Sequence, residues 1–168
     1  ASDVYKRQSY LFNLKKGDKV ELFGPFGDFH LKQTKNEIVF IGGGAGMAPL
    51  RSQISSLFDS NPTERKVSFW YGARSEKELF YQDYFKFLDK TFDNFNFNVA
   101  LSAPLPTDNT KYNIGFIHDI IYNNYLNRKA NLSNIEFYLC GPPKMIKACK
   151  KMLYDIGVKS QNILYDQF

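Results

Sequence analysis

The chain has 168 residues, of which 43% are hydrophobic, and its 22 Lys and Arg against 17 Asp and Glu give a formal charge of +5. This length fits one domain, or one domain with a remnant of another. The basic residues are scattered among the acids with no run longer than two, so the excess charge indicates a solvated surface and argues against nucleic-acid binding.

The cysteines and histidines exclude further classes of protein. Cys140 and Cys149 have neither the spacing of a disulfide framework nor that of a metal site. His30 and His118 are isolated in the sequence, and we predict no bound metal. No apolar run approaches the length of a membrane-spanning helix, and the first residues do not resemble a signal peptide. These features favour a reducing compartment that faces the cytosol.

The beginning of the chain differs in composition from the rest. Residues 1–8 start without Met and show no periodicity, and we interpret them as a truncated or foreign start. Within 9–36, residues 10–14 fit a strand or one helical turn, and residues 19–23 alternate as a strand does. Such short strands cannot bury a core alone. The segment 9–36 therefore indicates the end of an antiparallel β-barrel domain, which closes with a polar linker at 33–36.

From residue 37 onward, apolar strands alternate with amphipathic helices. The predicted strands cover 37–42, 66–71, 95–101, 135–140 and 162–165, and the predicted helices cover 46–59, about 80–88, 116–127 and 143–156. Five strands joined by four helices predict a doubly wound α/β fold, in which a parallel sheet is covered on both faces. Such sheets bind ligands at the carboxyl ends of their strands, so the residues after each strand are the candidates for a site.

The turn after the first strand carries four glycines in five positions, Gly42, Gly43, Gly44 and Gly46. A glycine backbone lets phosphate oxygens approach the N–H groups at the start of a helix, which favours a phosphate site over a plain turn. The spacing departs from the usual dinucleotide fingerprint because Pro49 stands near the place of its third glycine. Pro49 fits the first helical turn, where its missing N–H costs nothing.

The second strand is followed by Gly72-Ala-Arg-Ser-Glu76, where NAD-binding units of this class carry an acidic residue. Arg74 is suited to stack on adenine or to contact phosphate, and Ser75 to hydrogen-bond a ribose. Ser75 and Glu78 also match a capping box, and both interpretations can hold together. A guanidinium suits a 2′-phosphate as well, so these residues leave the choice between NADH and NADPH open.

The fourth strand ends in Cys140-Gly-Pro-Pro143. Gly141 lets a flat ring approach, and the prolines stiffen the turn into the next helix. No neighbour in the sequence activates the Cys140 thiol as a nucleophile, and a buried cysteine at a strand end is an equally good interpretation. Phe168, at the end of the chain, adds an aromatic ring at the same edge of the sheet.

Together these motifs resemble the ferredoxin–NADP⁺ reductase superfamily. The resemblance rests on Gly44-x-Gly46-x-x-Pro49, Tyr71-Gly-Ala-Arg-Ser75 and Cys140-Gly-Pro-Pro143. Gly24-Pro-Phe-Gly-Asp-Phe29 is similar to the close of the superfamily's flavin-binding barrel. The further motifs Ala100-Leu-Ser-x-Pro-Leu-Pro106 and Gly115-Phe-Ile-His118 are similar to the F subunits of Na⁺-translocating NADH:quinone reductases, across about residues 9–168.

The resemblance implies that NADH lies across the carboxyl edge of the sheet. It assigns nucleotide binding to Gly43, Gly44, Gly46, Met47, Ala48, Pro49, Arg74, Ser75, Ser102, Gly141 and Pro142. It places Cys140 beside the nicotinamide and Phe168 where nicotinamide and flavin meet, and these two are its candidates for the catalytic centre. Ser9 falls where a flavin-binding loop ends.

In that family, a hydride passes from NADH to FAD, and single electrons then leave through a [2Fe–2S] cluster toward quinone, coupled to sodium transport. The resemblance implies partners in the flavin and ferredoxin domains of the same subunit and in other subunits of a membrane complex, at the cytoplasmic face of the bacterial inner membrane. The chain lacks the family's Arg-x-Tyr-Ser flavin segment, most of its barrel, its four cluster cysteines and its membrane anchor. We therefore expect an NADH-binding domain, residues 37–168, that neither retains FAD nor turns over alone.

Two other interpretations stay open. An NADH-dependent flavin reductase component of an oxygenase system shares the same motifs, and a ferredoxin domain with a membrane helix in the missing half would favour the sodium pump instead. A nucleotide-sensing module without a redox role would use the phosphate turn but leave Cys140-Gly-Pro-Pro143 unexplained.

Overall fold

The computed structural model describes residues 2–21, 23–24, 27–59, 61–108 and 111–167, except for the side chains of residues 2–7 and 167. The helices are α1 (Ser2–Asn13), α2 (Met47–Phe58), α3 (Gln82–Thr91), α4 (Ile117–Asn124) and α5 (Pro143–Asp155). The strands are β1 (Glu37–Gly43), β2 (Val67–Ala73), β3 (Phe95–Leu101), β4 (Asn113–Ile114), β5 (Ile135–Gly141) and β6 (Ile163–Gln167).

The strands form one parallel sheet in the order β4-β3-β2-β1-β5-β6. From β1 the chain winds outward through β2 and β3 to β4, and it then returns to the other side of β1 for β5 and β6. The order thus reverses between β1 and β5, and doubly wound sheets open a crevice at the carboxyl ends of the strands at such a point. The prediction of a doubly wound parallel sheet is confirmed.

The prediction of five strands is wrong, because the sheet has a sixth strand in a stretch predicted to be a loop. This strand, β4, pairs Asn113 and Ile114 with Ala100 and Leu101 of β3. Two residues are too few to show the period-two alternation that marks a strand in a sequence. The pairing nevertheless matters for function, since it fixes the loop that leads into α4.

Each face of the sheet has its own core, because successive side chains of a strand point to opposite faces. On one face, Phe40 and Tyr71 pack with side chains of α2 and α3. On the other face, Val39, Ile41 and Phe137 pack with side chains of α4 and α5. Burial on both faces explains why β1 and β5 are nearly continuous apolar runs in the sequence.

The predicted apolar face of α3 is wrong in half of its residues. The spacing predicts a buried row of Phe80, Tyr84, Phe87 and Leu88. In the structure Leu88 is buried and Tyr84 packs partly buried against the core, but Phe80 and Phe87 are 51% and 61% exposed, and Phe85 is buried in their place. Tyr81 adopts a left-handed conformation with φ of 55° directly before α3, so the helix begins later and with a different rotation than the spacing predicts.

The segment before β1 forms no strand among the residues that the structure describes between 14 and 36. Residues 10–13 belong to the end of α1. The strand expected at 19–23 is not formed at 19–21 or 23, since a single alternating segment has no neighbour to supply its hydrogen bonds. Residues 25 and 26, within the expected turn, lie outside the described residues, and the assignment of 9–36 to a flavin barrel stays a prediction.

A buried ion pair fixes the linker to the amino-terminal end of the sheet. The guanidinium of Arg65 donates to the carboxylate of Glu136 at 2.7 Å, and Glu136 is only 1% exposed. The hydroxyls of Thr34 and Tyr138 donate to the same carboxylate at 2.7 and 3.1 Å. Burial raises the pKa of Glu136, but these hydrogen bonds and the Arg65 charge outweigh it and hold the pKa below its usual value of 4.5.

Backbone groups of the linker complete this network. Arg65 also donates to the carbonyl oxygens of Asn36 and Lys32, at 2.6 and 3.2 Å. The backbone N–H of Lys32 donates to the Tyr138 hydroxyl at 2.9 Å. The linker is therefore held in one position on the sheet although it has no regular secondary structure.

We predict that Arg65→Met lowers the free energy of unfolding by about 3 kcal/mol, because it leaves the Glu136 carboxylate buried without its charge partner. Urea unfolding at pH 7 measures the loss. The control is Lys151→Met, which breaks the exposed pair with Asp155 and should cost less than about 1 kcal/mol.

The pH dependence of this loss follows from the lowered pKa of Glu136. The stabilisation is fully present above the usual value of 4.5 and disappears as the pH falls through the lower folded-state value. The difference between wild type and Arg65→Met should therefore shrink in acid. A pH-independent difference, or equal losses for the Arg65 and Lys151 variants, would contradict this account.

Candidate functional site

The turns after β1 and β5 touch each other without an intervening side chain. A Cβ on Gly46 would lie 2.5 Å from the backbone nitrogen of Gly141 and closer still to the carbonyl group of Cys140. Real Cβ atoms do not approach backbone atoms so closely, so position 46 requires glycine. This contact holds the two turns that flank the switch point of the sheet as one unit.

Met145 of α5 occupies the space beside two other glycines. A Cβ on Gly43 would lie 2.5 Å from the Met145 Sδ, and one on Gly141 would lie 2.8 Å from the Met145 Cε. Gly141 also has a φ of 151°, which side chains rarely allow. Since a Cβ on Gly141 would also lie 2.8 Å from the carbonyl oxygen of Gly43, packing and conformation together require glycine at 141, whereas at Gly43 the nearest atom belongs to a flexible side chain.

Gly44 differs from its neighbours because its position is open. It has a φ of 55°, and no atom lies within 4 Å of where its Cβ would be. It begins the short 3₁₀-helix Gly44–Gly46 that leads into α2. The first turn of α2 contains no acidic residue and no side-chain cap. An anion can therefore approach the backbone here and meet the positive end of the helix.

A cavity of about 590 Å³ lies at the carboxyl edge of the sheet, within the range of about 300–1,000 Å³ usual for small-molecule sites. Five residues predicted from the sequence line it: Gly43, Gly44, Arg74, Ser102 and Pro142. They come from the turns after four different strands. The structure thus brings together the positions expected from the rule for doubly wound sheets.

Most of the lining residues were not predicted to bind a ligand. The additional lining residues are Gly72, Ala73, Glu78, Ala100, Gly115, Phe116, Ile117, His118, Lys144, Met145 and Ala148. The motif Gly115-Phe-Ile-His118 entered only as part of the family resemblance. Lys144, Met145 and Ala148 lie in the first two turns of α5, which begins at the carboxyl end of β5.

Several predicted residues lie beneath the cavity rather than on its wall. Met47 and Cys140 belong to the core on the face covered by α2 and α3. Gly46 and Gly141 are buried where the two turns meet, and Ser75 is buried behind the turn after β2. These residues do not line the cavity, and a direct contact with a nucleotide stays a prediction for them.

The remaining predicted residues lie elsewhere. Pro49 lines a second groove of about 500 Å³ with residues 27–29 and with Asp166 of β6. Ala48 lines a separate groove on the outer side of α2. Ser9 is exposed in α1. Phe168 lies outside the described residues, so its expected place near a flavin is untested.

The cavity wall is mostly apolar, and its few ionisable side chains are mainly basic. Arg74, His118 and Lys144 line it, and Glu78 is the one carboxylate among its described lining residues. The Glu78 carboxylate accepts a hydrogen bond of 3.1 Å from the backbone N–H of Arg74. The prediction of a capping box is therefore wrong: Glu78 reaches the residue before Ser75, and the Ser75 side chain makes no capping hydrogen bond.

Backbone hydrogen bonds fix the rim of the cavity. The N–H groups of Ser102 and Ala103 donate to the carbonyl oxygens of Ala73 and Arg74, at 2.9 and 2.8 Å. These bonds tie the loop after β3 to the loop after β2. The position of Arg74 is thus set by backbone contacts, although its side chain is exposed.

The Cys140 thiol is protonated at neutral pH. Burial raises its pKa to about 11, and the negative charge of Asp166 adds to this while a hydrogen bond with the Gly141 backbone opposes it. Only the thiolate is a nucleophile. The structure therefore agrees with the sequence in offering no activated cysteine at this turn.

The described residues offer little to a metal cofactor of the chain itself. They contain no group of three or more His, Cys, Asp or Glu side chains placed to hold an ion. Cys140 and Cys149 lie in the cores on opposite faces of the sheet. The chain thus does not fit a [2Fe–2S] cluster, which needs four ligands. No helix of the described residues is long and apolar enough to cross a membrane.

Comparison with known proteins shows the family to which the chain belongs. Residues 40–151 match the model of the oxidoreductase NAD-binding domain. The chain belongs to this family. The matched region runs from β1 into α5 and so contains every loop that lines the cavity.

Curated relatives agree with the resemblance found in the motifs and confirm it. The chain is 53% identical over 160 residues to the F subunit of the Na(+)-translocating NADH-quinone reductase of Klebsiella pneumoniae subsp. pneumoniae. It is 52% identical over 160 residues to the protein of the same name from Histophilus somni. Each match covers 95% of this chain but only 39% of the relative's length.

Solved structures share the fold. The cytochrome P450 reductase GcoB of Amycolatopsis superposes with a TM-score of 0.78 at 29% identity, over 93% of this chain and 46% of that one. The cytochrome b5 reductase domain of Ulva prolifera nitrate reductase gives 0.80 at 23% identity, over 95% and 63%. The Plasmodium falciparum ferredoxin–NADP⁺ reductase with 2′P-AMP gives 0.75 at 23%, over 96% and 65%. The expected ferredoxin-reductase-type fold is confirmed.

The packing of the glycine turn leads to a prediction about stability. Gly46→Ala should lower the free energy of unfolding by about 1–3 kcal/mol or more, because the added methyl group meets backbone atoms that cannot move aside. The matched control is Gly44→Ala, where no atom lies near the added methyl group. Its free energy of unfolding should fall by only about 1 kcal/mol, the cost of a left-handed conformation for alanine. Thermal unfolding followed by circular dichroism measures both. A more severe effect at Gly44 would contradict the assignment of these two roles.

The raised pKa of Cys140 leads to a second prediction. In the folded protein at pH 8, Cys140 should react with iodoacetamide at least about a hundredfold more slowly than a thiol of ordinary pKa. Peptide mass spectrometry separates Cys140 from Cys149, and the same protein in urea is the control. Rapid modification of Cys140 in the folded state would show that the thiol is neither buried nor protonated.

Proposed function

We propose that the chain is the NADH-binding module of an F subunit of a Na⁺-translocating NADH:quinone reductase. The observation that carries the proposal is the cavity at the switch point, in which the open backbone of Gly44 lies among the cations Arg74 and Lys144. The identity of 53% to a protein of that name supports the assignment. The module holds NADH in position for hydride transfer to a flavin.

The proposed pyrophosphate site is the turn at Gly44. Its missing side chain leaves room for phosphate oxygens, and the uncapped start of α2 directs its positive end toward them. Lys144, in the first turn of α5, adds a mobile charge from the other wall. Pyrophosphate is anionic, and these groups offer hydrogen-bond donors without a competing acid in the turn.

The proposed site for the adenosine half of NADH lies toward the end of β2. Arg74 lines the cavity there, and Glu78 lies beside it, held by the Arg74 backbone N–H. A carboxylate accepts hydrogen bonds from ribose hydroxyls and repels a 2′-phosphate. Glu78 therefore takes the role of the acidic residue that the sequence lacks directly after this strand, and we propose a preference for NADH over NADPH.

The proposed nicotinamide half lies at the joined turns of β1 and β5. Gly43 and Pro142 line the cavity there, with Cys140 and Gly141 behind them. Since the Cys140 thiol is protonated, we assign it to shaping this wall and not to proton transfer or nucleophilic attack. A flavin bound nearby supplies the hydride acceptor, while this chain binds and orients the donor.

We extend the proposal to the whole protein on the strength of the curated relatives, of whose length the chain spans 39%. We propose that residues 9–36, with Ser9, join the flavin-binding barrel of the whole protein, although their described part forms no strand in this chain, and that the barrel adjoins the groove that residues 27–29 line together with Pro49. FAD and the [2Fe–2S] cluster are bound by the rest of the polypeptide. With the other subunits, the complex passes electrons to quinone at the cytoplasmic face of the bacterial inner membrane, coupled to sodium transport.

A reductase component of an oxygenase system is the competing proposal. The structural match to a cytochrome P450 reductase, at 29% identity, supports it, but less strongly than the 53% identity to the quinone reductase supports the first. The two proposals make the same demand on this chain, namely that it bind a nicotinamide nucleotide. They differ in the electron acceptor that the rest of the protein serves.

We predict that calorimetric titration of the chain shows NADH binding at least about tenfold tighter than NADPH, since Glu78 opposes the 2′-phosphate. Glu78→Gln keeps an oxygen that accepts from the Arg74 N–H but removes the negative charge. It should reduce the preference for NADH, mainly by increasing the affinity for NADPH. Glu64→Gln makes the same charge change at an exposed residue outside the cavity lining and should leave the ratio unchanged.

The outcomes separate the two parts of the proposal. Negligible heats with both nucleotides would contradict the assignment of the cavity to a nicotinamide nucleotide. An unchanged ratio in Glu78→Gln, with binding intact, would contradict only the role given to Glu78.

A further inference from the structure

Asp108 joins two loops at the carboxyl edge of the sheet. One oxygen of its carboxylate, Oδ2, accepts hydrogen bonds from the backbone N–H groups of Leu105 at 2.8 Å and Glu76 at 3.1 Å. The N–H of Asp108 itself donates to the Leu105 carbonyl oxygen at 3.0 Å. Leu105 belongs to the loop after β3, whereas Glu76 lies in the loop after β2, 32 residues before Asp108. A single side chain thus closes its own loop and holds it against the neighbouring one.

The N–H of Glu76 needs this acceptor because of its place in the chain. Glu76 begins the 3₁₀ turn Glu76–Glu78, and the first N–H groups of a helical turn have no partner within the turn. Ser75 directly precedes the turn and is of a type that commonly caps one, but its side chain makes no capping hydrogen bond. Asp108 therefore does from another loop what a capping residue does locally.

The turn that Asp108 holds carries two charged residues at the end of the cavity assigned to adenosine. Arg74 precedes the turn and Glu78 ends it, and both line the cavity, whereas Asp108 does not. The Glu78 N–H donates to the Ser75 carbonyl oxygen at 3.1 Å, and the Glu78 carboxylate accepts from the Arg74 N–H at 3.1 Å. The position of the Glu78 carboxylate thus depends on the shape of this turn.

The loop after β3 is bonded to this end of the cavity. Besides the bond from Asp108, the N–H groups of Ser102 and Ala103 donate to the carbonyl oxygens of Ala73 and Arg74. Among the residues that the structure describes, no hydrogen bond joins 102–108 to the turns after β1 and β5. A change at Asp108 should therefore reach the site for the adenosine half and spare the site for the nicotinamide half.

We propose that Asp108 is a positioning residue, which fixes the turn at 74–78 and thereby sets the preference for an adenosine ribose without a 2′-phosphate. The proposal rests on the proposed function and adds the residue that holds Glu78 in place. With the turn fixed, the Glu78 carboxylate accepts from the ribose hydroxyls and repels a 2′-phosphate. Without Asp108, the Glu76 N–H bonds to water and the turn is free to change shape, so both effects of Glu78 weaken.

Amide hydrogen exchange, followed by NMR, tests the hold on the turn without a ligand. In Asp108→Ala the Glu76 amide should exchange about tenfold faster or more than in wild type, because it loses its hydrogen bond to the carboxylate. In Asp108→Asn it should stay protected, since the amide oxygen of Asn accepts the same bond. The matched control is Asp89→Ala. Asp89 accepts a hydrogen bond of 2.9 Å from the backbone N–H of Phe97, and neither residue lines the cavity.

Calorimetric titration with NADH and NADPH tests the consequence for selection. Asp108→Ala should lower the ratio of the NADPH Kd to the NADH Kd about fivefold, the factor that corresponds to one ordinary hydrogen bond. Asp108→Asn should restore the ratio, and Asp89→Ala should leave it unchanged. A loss of stability alone does not move this ratio, because the folded fraction binds both nucleotides with the same preference. Thermal unfolding followed by circular dichroism measures the stability of each variant.

The possible results separate this proposal from the proposed function. If wild type prefers NADH and Asp108→Ala keeps that preference, Asp108 is not a positioning residue and the proposed function stands. If wild type binds both nucleotides equally, the role of Glu78 fails and that of Asp108 fails with it. If wild type binds neither, the proposed function and this proposal both fail. Unchanged exchange at Glu76 in Asp108→Ala, or an Asp108→Asn that behaves as Asp108→Ala does, would also overturn the proposal, since the hydrogen bonds of Asp108 would not hold the turn.

Discussion

The contact between Gly46 and the Cys140–Gly141 peptide is the constraint on which the candidate site depends. It lets the turns after two neighbouring strands touch, backbone against backbone, at the point where the strand order reverses. The glycine turn before α2 and the start of α5 thereby line one cavity. Met145 then fills the space left by the absent side chain of Gly43, so the turns form a closed floor. Only Gly44 remains open above it, as a backbone surface for an anion.

The two ends of the sheet differ in how their polar groups are satisfied. At the amino end, Arg65 and Glu136 neutralise each other in a buried network that holds the linker. At the carboxyl end, Arg74 and Lys144 line an open cavity, and the Cys140 thiol behind it is uncharged. Mutually satisfied buried charges thus lie at the amino end, and cations that line a cavity lie at the end where a ligand is proposed. Such a domain suits an electron-transfer protein in which cofactors carry the chemistry and the chain fixes their geometry.

The sequence by itself determined the fold class and the edge of the sheet at which the candidate cavity lies. Its alternation of apolar strands with amphipathic helices is strong over 37–168, and the parallel sheet follows from that alternation because short strands joined by helices lie side by side in one direction. The glycine-rich turn and Arg74 were found as candidates for the same reason: they follow strands. The local sequence pattern is sufficient to predict a strand, a helix or the turn between them, since each depends on a few consecutive residues.

Tertiary structure alone decided how these parts meet. It added β4, whose two residues show no periodicity, and it changed the buried face of α3, since the left-handed Tyr81 delays the start of that helix. It showed that Met145, a residue 102 positions away, fills the space beside Gly43, and that Phe116 and Lys144 line the same cavity as Arg74. These relations depend on the angles at which α4 and α5 cross the sheet. The angles result from packing over the whole domain, and no segment of sequence encodes them locally.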